Sequence, residues 1–220
     1  MYAYFREIAQ NTPIDVTLYN IPMFASPIDL PTLRRLSEFD RIIGIKDSSG
    51  DVAFMGRMIN AIRPQRPDFI FLTGWDVVLV PMMLLGADGG TNATSGVVPE
   101  LMRRLFDLAE SRQFDEAVKL QLRLIELFDT MLYSSDFPEG FRAAVDLRGF
   151  EFGRSRQPLS EAQSVDRVAL QRVLQCILSD FGAVDAPLEG CAVRTGNLEG
   201  DKVAQIAQEV MVKLRQRGVL

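Results

Sequence analysis

Arg41-Ile42-Ile43-Gly44-Ile45-Lys46-Asp47-Ser48-Ser49-Gly50-Asp51 is a short apolar run that ends abruptly in polar residues. Its three isoleucines suit a strand, and an unbroken apolar run suits a strand covered on both faces. The polar tail with Gly50 reads as a loop. Asp51 then stands before 52–62, where the pattern turns helical. The stretch therefore predicts one strand handing over to one helix, and it leaves a lysine at the strand's C-terminal end.

The same alternation extends outward in both directions. Strand-like runs occupy 15–19, 41–46, 69–73 and 87–91, the last rich in glycine, and helix-like stretches occupy 27–38, 52–62, 76–85 and 99–110. Ser26 ahead of Pro27 fits an N-cap followed by proline at the first helical position. Alternating strands and helices predict a parallel sheet, which fits either a barrel or a doubly wound α/β sheet. Beyond residue 111 the strand signals stop. Phe114, Ala117, Leu120, Leu124 and Phe128 mark one apolar stripe along 113–134, and further helical patterns cover 138–147, 161–181 and 199–216. The predicted organisation is thus a βα region over 1–111 and a helical domain over 112–220.

Composition narrows the function classes. An apolar fraction of 47% and a net charge of -5 over 220 residues suit a globular protein with a sizeable core. The longest apolar run, near Val77 to Leu85, is broken by Pro81 and falls short of the roughly 20 residues that a membrane span needs. With an acidic balance and no basic run, neither nucleic acid nor an anionic membrane is expected as a partner. Cys176 and Cys191 lack metal-ligand spacing and read as reduced thiols, and no secretory signal is seen, so a cytoplasmic location is expected. No histidine is present, which removes His-based triads and His-ligated zinc; no metal or cofactor is expected. Proton transfer falls to Tyr, Lys, Asp or Glu.

In a parallel βα architecture the ligand site lies at the C-terminal strand ends. Lys46 is the informative residue there. It is one of four lysines among twenty-four basic residues, and Lys119, Lys202 and Lys213 all fall in helical segments. A lysine behind a buried strand loses solvation, which lowers its pKa and favours the free amine that attacks a carbonyl. The alternative is a strand-end lysine that reaches out to water or pairs with Asp47. Tyr19 ends the preceding strand at the matching level and is either a proton relay or an ordinary strand tyrosine. The run from Gly86 to Gly96 lacks the Lys-Ser/Thr ending of a phosphate loop, so its glycines read as close backbone approach.

Four motifs taken together carry a resemblance. Tyr19-Asn20-Ile21-Pro22, then Ile45-Lys46-Asp47-Ser48-Ser49-Gly50-Asp51, then Thr73-Gly74-Trp75-Asp76 and the glycine-rich segment are similar, in order and spacing, to the dihydrodipicolinate synthase and N-acetylneuraminate lyase family. That resemblance implies the C-terminal half of a (β/α)8 TIM barrel followed by a helical domain. It implies a class I lyase or aldolase in which Lys46 forms a Schiff base with a pyruvate-derived 2-oxo acid and Tyr19 relays protons. Ser48, Gly74 and Asp76 would line the part that receives the variable end of the substrate, with Gly90 and Thr91 beside the pyruvate moiety. Homo-oligomers, dimers or tetramers, would be the expected assembly.

Two departures qualify what the resemblance implies. Where the synthase branch carries an arginine for a dicarboxylate substrate, this chain has Phe24, so a 2-oxo sugar acid is the expected substrate, cleaved by a lyase or dehydrated by a related dehydratase. Ala93, however, stands where sialic acid lyases tend to carry serine. The Gly-Thr-Thr-Gly-Glu-like motif and the first four βα units of such a barrel have no counterpart in these residues. The expectation is a truncated chain, half-barrels pairing between chains, or an inactive family member that serves as an interaction module.

Overall fold

β1 (Val16–Asn20), β2 (Ile42–Asp47), β3 (Ile70–Thr73) and β4 (Gly89–Gly90) form one parallel sheet in the order β1-β2-β3-β4. The computed structural model describes residues 1–153 and 155–183. Each strand lies beside its sequence neighbour, as in a barrel wall, and the order reversal of a doubly wound sheet is absent among the described residues. The intervening helices are α1 (Tyr2–Asn11), α2 (Leu30–Leu36), α3 (Val52–Ile62), α4 (Leu79–Leu84) and α5 (Pro99–Glu110). After them come α6 (Phe114–Tyr133), α7 (Glu139–Leu147) and α8 (Arg167–Asp180).

The two faces of the sheet differ because successive side chains on a strand point to opposite sides. Leu18, Ile45 and Phe71 are at most 1% exposed and share a core with Leu33, Leu36, Met55, Met58 and Ile62 of the covering helices. The other face is open, with Tyr19 47% and Ile70 38% exposed. A second core joins α4 and α5 to the later helices through Leu79, Leu105, Leu120, Leu124, Leu174 and Ile177.

Local chemistry sets the helix starts. Asp51 caps α3, accepting from the Phe54 amide at 2.8 Å, as the sequence predicts. The Ser26 cap is corrected: α2 begins three residues later, capped by Asp29 from the Thr32 amide at 2.7 Å. The physical reason is the Ile28 amide, which donates to Asn20 Oδ1 at 2.9 Å and holds that segment outside the helix. Phe114 opens α6 but is exposed, so the buried stripe runs instead through Ala117, Leu120, Leu124 and Phe128. The helical pattern over 161–181 resolves into a 3-10 turn at Glu161–Gln163 followed by α8, while that over 199–216 lies outside the described residues. Cys176 is disulfide-bonded, which corrects its reading as a reduced thiol; that reading rested on compartment, whereas a disulfide is decided by spatial approach, and Cys191 is outside the described residues.

Gly44 is required by the β2–β3 contact. A Cβ there would lie 2.6 Å from the Ile70 carbonyl oxygen and 2.9 Å from Ile70 Cβ, and backbone cannot swing aside as a side-chain tip can. Gly44→Ala should therefore cost about 1–3 kcal/mol through overpacking, read as a lower urea midpoint at unchanged slope. An unshifted midpoint would contradict this pairing of β2 with β3.

Candidate active site

Strand alternation puts Lys46 on the open face and Asp47 on the helix-covered face. Tyr19 pairs directly with Lys46 in the β1–β2 register. The Lys46 Nζ sits over the Tyr19 ring, 4.3 Å from its centroid, and no carboxylate lies within ion-pair distance of it among the described residues. Ser48 Oγ stands 3.5 Å from the Tyr19 hydroxyl. Gly74 closes the other side: a Cβ there would fall 2.4 Å from Lys46 Cε and 2.0 Å from Ser48 Oγ. Thus Lys46, Tyr19, Ser48 and Gly74 come together in one cluster.

Asp47 does not pair with Lys46. Its carboxylate, fully buried, accepts from Asn20 Nδ2 at 2.5 Å and from Ser49 Oγ at 2.6 Å. Burial pushes its carboxyl above the ordinary range, against the lowering effect of the Ser49 and Asn20 bonds, with the nearby Asp51 charge adding a smaller upward push. The residue pattern offers Asp47 only as a partner for Lys46 and gives Asn20 no role of its own. Their signal was alternation itself, since each follows a site residue by one position and must face the opposite side.

Asp76 begins the 3-10 turn after β3 and is 3% exposed. Its Oδ1 accepts from the Thr94 amide at 2.6 Å and its Oδ2 from the Ala93 amide at 3.3 Å. The carboxylate therefore holds the turn at Ala93–Gly96, and burial raises its pKa despite those bonds. Gln121 of α6 reaches the same loop, donating to the Asp76 carbonyl at 3.1 Å and accepting from the Val80 amide at 3.2 Å. Gln121 interrupts an apolar helix face, and no residue pattern marks its role. Gly90 pairs with Thr73 at the end of β4, and the Thr91 amide donates to the Thr73 carbonyl at 2.8 Å. Both are exposed, at the next level of the sheet above Tyr19 and Lys46. No cluster of three or more potential metal ligands occurs among the described residues.

Residues 1–177 match the model of the Dihydrodipicolinate synthetase family. A 4-hydroxy-tetrahydrodipicolinate synthase of Oceanobacillus iheyensis is 32% identical over 182 residues, covering 82% of this chain and 59% of that relative. An uncharacterized DapA-like lyase of Thermococcus kodakarensis is 32% identical over 151 residues, covering 68% of this chain and 52% of its own. Among solved structures, dihydrodipicolinate synthase from Bacillus anthracis superposes with a TM-score of 0.71 at 32% identity, over 79% of this chain and 59% of that one. N-acetylneuraminate lyase from Fusobacterium nucleatum gives 0.66 at 26% identity, over 79% and 58%. The chain thus spans 59% of the length of the Oceanobacillus relative. With four parallel strands in sequential order, its fold is the C-terminal half of a (β/α)8 barrel with helices appended.

The tight fit around Gly74 yields a prediction. In Gly74→Ala the atoms that must yield are the ends of two side chains, so the fold should tolerate the methyl group while Lys46 is pushed off the Tyr19 ring. A displacement near 1 Å should slow formation of a borohydride-reducible adduct between Lys46 and a 2-oxo acid by about 10- to 100-fold, with little change in melting temperature. Unchanged adduct formation would show that Gly74 does not position the lysine.

Proposed function

Because the chain belongs to the dihydrodipicolinate synthetase family, we propose that it is a class I lyase that forms a Schiff base between Lys46 and a 2-oxo acid. The observation that carries this reading is the Lys46 amine, in no ion pair among the described residues and held over the Tyr19 ring on the open face of the sheet. The amine attacks the C2 carbonyl, and loss of water from the carbinolamine gives a protonated imine. When the C4 hydroxyl gives up its proton, the C3–C4 electron pair moves into the imine and C4 leaves as an aldehyde. The resulting enamine takes a proton at C3, and water then releases pyruvate and restores the amine. Tyr19 is the relay for these protons, its hydroxyl beside Ser48 Oγ.

The proposed substrate is a 2-oxo sugar acid. Met23 and Phe24 follow the Tyr-Asn-Ile-Pro motif, and Phe24 stacks on Phe137 with ring centroids 5.8 Å apart. A cavity of about 450 Å³ opens beside them, lined by Met23, Tyr133, Ser134, Asp136 and Phe137 among others, with no lysine or arginine among the described residues that line it. Such a wall lacks the cation that a second substrate carboxylate needs and offers hydroxyl and carboxylate acceptors to a polyol. Ser48, Gly74 and Asp76 border the variable end in this reading, and Gly90 and Thr91 the pyruvate end. Self-association belongs to the same proposal, because β1 and β4 are edge strands among the described residues and a partner copy would cover them.

Two measurements test the proposal. Borohydride reduction in the presence of pyruvate should add mass to the peptide carrying Lys46, and Lys46→Ala should abolish the adduct without lowering the melting temperature. A chain that takes up no mass at Lys46 would end the lyase reading. Light scattering should give a mass above that of one chain, and a monomer at all concentrations would remove the self-association part.

A further inference from the structure

Resting on the Schiff-base reading of Lys46, we propose that Asp47 is a positioning residue, whose carboxylate locks two βα loops, those after β1 and β2, around the Lys46 amine from the opposite face of the sheet. A buried carboxylate with no cation beside it is costly, and the Leu18, Ile45 and Phe71 layer shows that an apolar side chain would suit the same core. What the carboxylate provides is connection. Asn20 donates to it and, through Oδ1, accepts from the Ile28 amide, which ties in the loop after β1. Ser49 donates to it and accepts from the Asp51 amide at 3.1 Å, and Asp51 in turn caps α3. The Asp47 carbonyl accepts from the Gly74 amide at 2.7 Å, and the Asn20 carbonyl from the Ser48 amide at 2.8 Å.

Three residues grouped around Lys46 connect to Asp47. Tyr19 directly precedes Asn20, Ser48 directly follows Asp47, and Gly74 is bonded to the Asp47 main chain. Loosening the carboxylate therefore shifts the tyrosine ring and the serine hydroxyl relative to the amine. Lys46 itself keeps its side chain and its place in the strand, so binding should suffer less than reaction.

The test follows Lys46 adduct formation with pyruvate under borohydride in the full chain, as a function of pyruvate concentration. Asp47→Asn places two amides face to face at the Asn20 contact, and the rate at saturating pyruvate should fall by about tenfold or more while the half-saturating concentration moves by less than about threefold. In the double variant Asn20→Asp/Asp47→Asn the donor and acceptor change places. The amide at position 47 then donates to the carboxylate at position 20 and still accepts from Ser49, so the rate should return to within about threefold of the original. A folded Asp47→Asn chain that reacts at the original rate would overturn the inference. So would a double variant that regains the melting temperature but not the rate, and this pair decides the matter even if Asp47→Asn alone fails to fold. Absence of any adduct in the unsubstituted chain would overturn the Schiff-base reading as well, which separates the two failures.

Discussion

The two-residue alternation at the end of β2 governs the site. It sends Lys46 to the open face, where Tyr19 is its register partner, and Asp47 to the helix-covered face, where Asn20 occupies the matching position on β1. A one-residue slip of β2 against β1 would break both pairs, turning the ammonium toward Leu18 and the α2 and α3 side chains and Ile45 toward the open face. The buried Asn20–Asp47 bond opposes that slip more firmly than apolar contacts do, because an unsatisfied polar group in that core costs about 1–3 kcal/mol.

The helices after residue 111 act on the same loops. Gln121 joins α6 to the loop after β3, and Asp76 in that loop holds the turn after β4. Trp75, beside Asp76, packs edge-on to Phe128, which continues to Phe141 and Phe137 and so to Phe24 in the loop after β1. An aromatic chain thus runs from one strand-end loop to another through the helical region. The later helices shape the mouth of the site as well as burying the outer surface of α4 and α5.

Much of this was legible in the residues. The isoleucine run, its lysine and the Asp51 cap announced β2, the site and α3, because strand propensity, alternation and capping are local effects. The α2 start was misread because Ser26-Pro27 is a good local cap, and only the tertiary bond from Ile28 to Asn20 overrides it. α1 has no place in the sequence expectation, although Tyr2 and Phe5 pack partly buried against the core that holds Ala9, the one fully buried residue of that helix. The bonds from the Ala93 and Thr94 amides to the Asp76 carboxylate had no local signal, because they depend on how β3 and β4 lie side by side. The Cys176 disulfide likewise depends on spatial approach, which spacing does not encode.

An aromatic ring beside the amine on one face and a tethered carboxylate on the other leave Lys46 as the group through which a 2-oxo acid would be held. A crystal structure of the chain after soaking with pyruvate tests that claim most directly. The predicted result is continuous electron density from Lys46 Nζ to the pyruvate C2 carbon, with the Tyr19 hydroxyl within hydrogen-bonding reach of the adduct. Pyruvate bound without a covalent link to Lys46, or density joined to Lys119 instead, would contradict it.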